Sequence, residues 1–299
     1  MWLASVNSAG AAEVQKLSVQ AEGHGWTYHL YVPDRVRASS VPLVVVFHGA
    51  GGDGRAYLEK NGWLAQSEHA GFAVAAPDGL PALPAQPASF RLNPRLWNSG
   101  QLKPTTLRGR IDDMAFVTAM LDDIVNRVHI DANRVFATGH SNGAGMTFMV
   151  GAKLSKRFAA LATVMGQNST TNPQPERALP TLVLLGTNDP LNPMEGGTRE
   201  LPWGRSTIPP PMQGIDAWSQ GLGCAAAAQL ERDDDMVQVK RYGACRDGAT
   251  VAVWLIKGQG HAWPGGQDSG LPESVLGPNS SRIHATREIW SFFSTSPIR

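Results

Sequence analysis

A serine lies between two glycines in the stretch RVFATGHSNGAGM, residues 134–146. The residues before it form a short apolar run that favours a buried strand, and apolar residues from Met146 onward continue as a helical pattern. A serine on such a strand-to-helix turn is typical of a nucleophile, because the strained turn exposes its hydroxyl. Gly139 and Gly143 fit this interpretation, since only hydrogen lets strand and helix approach so closely. The alternative for Ser141 is a serine in an ordinary glycine-rich turn.

A serine nucleophile needs a base and an acid that orients the base, and on this kind of turn they follow the serine in the order acid, then histidine. Asp189 comes just after the apolar run ending at Gly186, and His261 comes just after the run ending near Lys257. The other histidines precede the sheet, lie in helical patterns or follow no strand of their own. The sequence therefore predicts His261 as base and Asp189 as acid. Rival carboxylates recur along a helical pattern before the serine: Asp112, Asp113, Asp122 and Asp123.

The segment HGAGGDG, residues 48–54, follows the apolar run LVVVF and permits two interpretations. Its glycines match the G-x-G-x-x-G spacing of a dinucleotide-binding loop, with Asp78 as a conceivable ribose ligand, which would make the protein an oxidoreductase. The other interpretation is an oxyanion loop, whose backbone N–H groups face a carbonyl oxygen that gains charge. We favour the oxyanion loop, because the dinucleotide interpretation leaves Ser141 and its turn unexplained.

Strand and helix patterns alternate along the chain, which predicts an α/β fold with one doubly wound, mostly parallel sheet flanked by helices. Two long segments lack periodicity and are predicted to be loops, residues 77–110 and 188–211. Predicted strands cover residues 28–32, 43–48, 72–76, 134–138, 161–164, 181–186 and 251–257, and predicted helices cover 111–129, the segment after Ser141 and 283–293.

Composition limits the class of protein. The chain has 299 residues, of which 42% are hydrophobic and 17% charged, so it can bury one large core, and we expect one catalytic domain over residues 12–299. A net charge of +1 gives no basic surface for nucleic acid. The sequence contains no apolar run near the roughly 18 residues needed to cross a bilayer, so we expect a soluble protein without a membrane partner.

The first residues and the two cysteines bear on cellular location. Ala9-Gly10-Ala11 has the small-x-small form of a signal-peptidase site, so residues 1–11 are either the remnant of a signal peptide or a plain Ala-rich terminus. Cys224 and Cys245 bracket a polar segment and have no C-x-x-C or histidine neighbour, which favours a disulfide over a metal site. A disulfide indicates an oxidising compartment, so we expect a secreted or periplasmic protein.

Five segments together resemble the polyhydroxybutyrate depolymerase and feruloyl esterase family of α/β-hydrolases: HGAGG, PDG at 77–79, GHSNGAGM, GTNDPLNPMEGG and GQGHAWPGG. The resemblance spans about residues 25–293 in the expected order. It implies a serine esterase that acts through an acyl-enzyme, with Ser141, His261 and Asp189 as the triad. It also implies an oxyanion hole formed by the backbone of Ala50 and Asn142. Position 50 departs from the family pattern, where threonine, serine or cysteine is frequent.

The substrate expected from this resemblance is a hydroxyalkanoate ester or oligomer of the polyhydroxybutyrate type. The alternative is a feruloyl or acetyl xylan ester of plant cell walls, and remote alternatives are a dinucleotide-dependent oxidoreductase and a serine peptidase. Because no linker and adsorption module follows within the chain, we expect soluble or oligomeric esters rather than solid polyester. No metal or organic cofactor is expected. Three loop tryptophans are candidates for substrate stacking: Trp97, Trp203 and Trp263.

Overall fold

The structure is a computed structural model that describes residues 12–201, 204–267 and 270–298. Its strands are β1 Gln15–Ala21, β2 His24–Tyr31, β3 Val41–Phe47, β4 Ala73–Pro77, β5 Ile130–His140, β6 Ala160–Val164, β7 Thr181–Gly186, β8 Gly197–Leu201, β9 Gly204–Ile208, β10 Gln229–Asp233, β11 Val237–Tyr242 and β12 Val251–Ile256. Its α-helices are α1 Gly54–Lys60, α2 Trp63–Ala70, α3 Asp113–Arg127, α4 Asn142–Lys153, α5 Pro211–Gly221, α6 Glu273–Leu276 and α7 Ala285–Thr295.

Ten strands form one sheet in the order β1-β2-β4-β3-β5-β6-β7-β12-β11-β10. The six central strands, from β4 to β12, pair in parallel, and the two strands at each edge pair antiparallel. Because the carboxyl ends of parallel strands meet at one edge of a sheet, the loops that follow β3, β5, β7 and β12 converge there. The expected α/β fold with a mostly parallel sheet is confirmed.

Strand β3 shows why the central strands read as continuous apolar runs. All seven of its residues are buried, and they alternate between the two faces of the sheet. Val45 and Phe47 join the core cluster beneath α3, α4 and α5, whereas Val44 and Val46 join the cluster beneath α2 and α7. A strand covered by helices on both faces has no solvent side, so polar residues do not alternate along it.

Several boundaries and elements differ from the predictions. β5 begins at Ile130, earlier than predicted, and the final helix begins at Ala285 instead of residue 283. The segment 188–211 is not a plain loop, because it contains the β8–β9 hairpin as a separate two-stranded sheet. Segment 77–110 is a loop as predicted, with only isolated bridges and a single 3₁₀ turn.

The predicted disulfide is confirmed, since Cys224 and Cys245 are joined. The segment between them is the β10–β11 hairpin, which continues the main sheet at its edge. Residues 1–11, with the candidate signal-peptidase site, lie outside the described residues. No helix within the described ranges combines the length and the apolar character that a membrane crossing requires.

Candidate active site

Ser141 forms the whole connection between β5 and α4. Its backbone angles, φ 55° and ψ −117°, lie in a region that non-glycine residues rarely occupy, so the turn is strained. A Cβ atom on Gly139 would clash with the carbonyl oxygen of Gly143, and one on Gly143 would clash with the carbonyl oxygen of Phe47. The two glycines therefore have the steric role that the sequence predicts.

The three side chains predicted as a triad meet at the carboxyl edge of the sheet. His261 Nε2 lies 2.9 Å from Ser141 Oγ, and His261 Nδ1 lies 2.8 Å from Asp189 Oδ2. Because a carboxylate only accepts, Nδ1 carries the proton, and Nε2 is free to accept from the serine hydroxyl. Asp189 is buried, and its Oδ1 accepts the backbone N–H groups of Leu191 and Asn192, each at 2.8 Å. These two bonds fix the carboxylate that orients the imidazole.

The rival carboxylates on α3 are engaged elsewhere. Asp112 accepts the backbone N–H of Met114 and caps the helix, and Asp113 pairs with the buried Arg108. Asp122 pairs with Arg157 on the surface, and Asp123 pairs with Arg127 and accepts from Tyr28. The structure thus brings Asp189 alone of the predicted candidates to the histidine.

Asp78, the ribose ligand of the dinucleotide alternative, serves the fold instead. Its carboxylate accepts the Thr27 hydroxyl at 2.7 Å, the Gly54 N–H at 2.8 Å and His29 Nε2 at 3.3 Å. Burial opposes ionisation, but these hydrogen bonds outweigh it and hold the pKa of Asp78 well below its usual range. Asp53 caps the same helix, α1, by accepting the N–H of Ala56. Two carboxylates of the chain thus occupy the helix terminus that a pyrophosphate would need, which argues against a dinucleotide site.

The loop HGAGG lies beside the nucleophile. Ala50 and Asn142 both line the cavity that contains Ser141. Asn142 is the first residue of α4, so its N–H has no partner within the helix. Among the described residues, neither this N–H nor that of Ala50 donates a hydrogen bond. The Asn142 side chain is bound to the backbone of Trp97, accepting its N–H at 2.7 Å, which leaves the Asn142 backbone group facing the cavity side of the turn.

His48 holds this loop from below. Its Nε2 accepts the N–H of Gly79 at 2.9 Å, so its Nδ1 carries the proton and donates to the Gly49 carbonyl at 2.7 Å. The ring is completely buried, and this burial lowers the pKa of His48. A neutral histidine with both nitrogens used in this way fixes the backbone of the loop.

Sequence reasoning missed the role of His140 and Tyr57. His140 Nε2 lies 2.6 Å from the His261 carbonyl oxygen and must donate to it, so Nδ1 accepts the Tyr57 hydroxyl at 2.6 Å. The hydroxyl oxygen of Tyr57 in turn accepts the N–H of Gly49. A chain of hydrogen bonds therefore joins the HGAGG loop to the backbone of the catalytic-type histidine. The position of His140 directly before Ser141 was the one available signal.

The cavity above Ser141 has a volume of about 860 Å³. Trp263 contributes to its wall, although its ring is mostly buried and its Nε1 donates to Thr286. Trp97 corrects the prediction, because it is fully buried, packs against Phe47 and donates to the His48 carbonyl, and it does not line the cavity. Trp203 lies outside the described residues.

The fold and this arrangement define an α/β-hydrolase. No family model matches the chain. An acetyl xylan esterase from Aspergillus awamori superposes with a TM-score of 0.60 at 16% identity, covering 94% of this chain and 99% of that one. An S-formylglutathione hydrolase from Agrobacterium tumefaciens gives 0.55 at 14% identity, covering 86% and 91%. These likenesses establish the fold.

Sequence relatives narrow the class. NocK of Nocardia uniformis subsp. tsuyamanensis, named provisionally as an esterase, is 27% identical over 75% of this chain and 66% of its own length. The bifunctional acetylxylan esterase/xylanase XynS20E of Neocallimastix patriciarum is 22% identical over 91% of this chain. Feruloyl esterase D of Neurospora crassa is 25% identical over 72%. The chain spans 34% of the length of XynS20E and 65% of feruloyl esterase D.

These relatives place the chain among the esterases of the α/β-hydrolase fold, beside the feruloyl and acetylxylan esterases. The feruloyl esterase part of the family resemblance is thereby confirmed. None of the relatives named above is a polyhydroxybutyrate depolymerase, so that part of the resemblance gains no support.

Proposed function

We propose that the protein is a serine carboxylic ester hydrolase, with Ser141 as nucleophile, His261 as base and then acid, and Asp189 as the residue that orients His261. The observation that carries this proposal is the continuous line of hydrogen bonds from Asp189 through His261 to Ser141, at 2.8 and 2.9 Å, on the wall of the cavity. Nucleophile, base and orienting acid in hydrogen-bond contact are the arrangement that acyl transfer requires.

The reaction follows from the proton positions. His261 Nε2 takes the serine proton as Oγ attacks the ester carbonyl, and the resulting imidazolium faces the buried Asp189 carboxylate. The N–H groups of Ala50 and Asn142 are proposed to donate to the oxyanion, where preorganised donors lower the barrier. The imidazolium then protonates the leaving alcohol. Water attacks the acyl-enzyme by the same route and releases the acid.

The substrate we propose is the acetyl or feruloyl ester of a plant cell-wall carbohydrate. The names of the sequence relatives support this alternative over the hydroxyalkanoate ester that the sequence analysis puts first. A cavity of about 860 Å³ has room for an aryl or sugar group beside the scissile ester. We further propose one catalytic domain over residues 12–299 and, from the disulfide, secretion into an oxidising environment.

The test replaces each member of the triad and measures hydrolysis of methyl ferulate, acetylated xylo-oligosaccharide and 3-hydroxybutyrate oligomers. Ser141→Ala and His261→Ala should each lower kcat by several powers of ten, because members of one catalytic unit fail singly. Asp189→Asn should lower it comparably or less, while the matched surface change Asp122→Asn should leave it unchanged.

A fluorophosphonate probe should label the parent at Ser141 and leave Ser141→Ala unlabelled. Turnover by Ser141→Ala within about tenfold of the parent would reject the nucleophile. Faster hydrolysis of hydroxybutyrate oligomers than of both carbohydrate-type esters would reject the proposed substrate and leave the triad intact.

A further inference from the structure

Arg199 lies on strand β8 of the separate hairpin, directly opposite Ser206 of β9. Its side chain contributes to the wall of the cavity that contains Ser141 and His261. The hairpin thus brings a guanidinium group into the space where an ester must bind, although it belongs to neither the central sheet nor the triad.

The guanidinium is held in place without a carboxylate. Its Nε donates to the Ser206 hydroxyl at 3.0 Å, and its Nη1 lies 3.4 Å from the Leu191 carbonyl oxygen. Within the described residues Arg199 forms no salt bridge, whereas Arg205 on the same hairpin pairs with the exposed Glu200. An arginine has five N–H donors, so most of those on Arg199 remain available to a bound molecule.

Partial burial makes this cation costly without an anion. Removal from water lowers the pKa of Arg199, which nevertheless stays protonated at neutral pH, and the only opposing influence is the more distant Asp189. Asp189 already binds His261 and two backbone N–H groups. A charged group removed from water gains most from a partner of opposite charge.

The charges around the cavity have the same sign. Among the described residues that line it, the cations are Lys60, Arg199 and Arg205, and the one carboxylate is Asp53. Asp53 is committed to capping α1. The wall therefore favours a negatively charged group on whatever enters.

We propose that Arg199 binds a carboxylate carried by the ester substrate, so that esters with a free acid group are preferred over neutral esters of the same shape. This inference rests on the proposed ester hydrolysis and names a chemical class within it. Arginine suits the role because its planar fork matches the two carboxylate oxygens.

The test compares each acid with its neutral amide, which has nearly the same shape. Monoethyl succinate and ethyl succinamate place the group on the acyl side, while 4-acetoxybenzoate and 4-acetoxybenzamide place it on the alcohol side. For at least one pair the parent should show kcat/KM about tenfold or more higher for the acid, as a charge-assisted hydrogen bond provides. The pair that responds identifies the side of the ester that carries the carboxylate.

Arg199→Gln should bring this ratio close to one while hydrolysis of the amides stays within about threefold of the parent. The control Arg205→Gln removes a charge from the same hairpin and should retain the preference. Equal rates for acid and amide in both pairs would overturn the inference, as would loss of the preference in Arg205→Gln. Equal losses for acid and amide in Arg199→Gln would assign Arg199 to holding the Asp189 loop through Leu191. Failure of the parent on all four esters would instead overturn the proposed function itself.

Discussion

His140 is a buried histidine that cannot accept a second proton without losing a hydrogen bond. Burial, together with the neighbouring His261, lowers the pKa of His140 to about 3. Its ring stays neutral over the range in which His261 must exchange protons, so it can donate steadily to the His261 backbone and accept from Tyr57. A residue next to the nucleophile thus positions the base without competing for its proton.

This depressed pKa predicts a pH dependence of stability. An unfolded histidine binds a proton below about pH 6.5, whereas folded His140 does so only near pH 3, so the unfolded state binds more protons in between. The free energy of unfolding should therefore fall as pH falls through this window, by up to about 1.4 kcal/mol per pH unit from this group.

His140→Gln tests this, because glutamine keeps an amide donor but does not titrate. Urea unfolding at successive pH values should show a shallower slope for the variant between pH 6.5 and 3, with the two curves closest at the acidic end. Identical slopes would mean that His140 protonates freely in the folded state.

At the scale of elements, the disulfide ties the segment after α5 to the segment after β11. Cys224 and Cys245 are 21 residues apart in sequence, and the buried Cys245 belongs to the core cluster under α5. Replacing both by alanine should lower the free energy of unfolding by about 3 kcal/mol, mainly through the less restricted unfolded chain. Because the link lies away from the triad, kcat/KM below the melting transition should not change.

Denaturant unfolding with and without a reducing agent checks this expectation. The parent should lose the same stability on reduction, and the double variant should not respond to the reductant. A double variant as stable as the oxidised parent would remove the structural role of the disulfide.

The long segment between β4 and α3 is anchored by one buried arginine. Arg108 pairs with Asp113 on α3, donates to the carbonyl oxygens of Leu80 and Leu96, and lies over the ring of Trp26. The segment that carries Trp97 under the site is thereby fastened to the first turn of α3.

Arg108→Met should therefore cost about 3–5 kcal/mol of unfolding free energy, because it leaves the Asp113 charge buried without a partner. Arg108→Met/Asp113→Leu should recover part of this loss. Arg55→Met breaks an exposed pair with Glu59 and should cost at most about 1 kcal/mol, as measured by the same denaturant titration. Equal losses for the buried and exposed pairs would contradict the assignment.

Across the whole molecule, burial on both faces decides which strands the sequence predicts. Strands such as β7, Thr181–Gly186, are continuous apolar runs, and this one was predicted residue for residue. The edge strand β1 is largely exposed, and all residues of β10 are exposed, so neither has an apolar run to detect. The β8–β9 hairpin is similarly polar, and its pairing depends on the rest of the fold to position it.

The same distinction separates the parts of the site. Ser141, Asp189 and His261 were predictable because each directly follows a recognisable central strand, and strand order fixes where such residues meet. Tyr57 lies on a short helix and Arg199 on the polar hairpin, so their proximity to the serine depends on loop paths that a pattern of apolar residues does not encode. Trp97 misled for a related reason, since a proline-rich segment gave no sign that it passes beneath the site.

The β8–β9 hairpin pairs with no strand of the central sheet, while the three triad residues follow central strands. The part of the protein that performs the reaction and the part proposed to choose the substrate are therefore separate modules of one chain. Exchange of the hairpin between related enzymes, by recombination or by grafting, could redirect the enzyme to new esters while inheriting the reaction unchanged. In evolutionary terms, the hairpin is where this molecule can diversify at the lowest risk to its catalytic machinery.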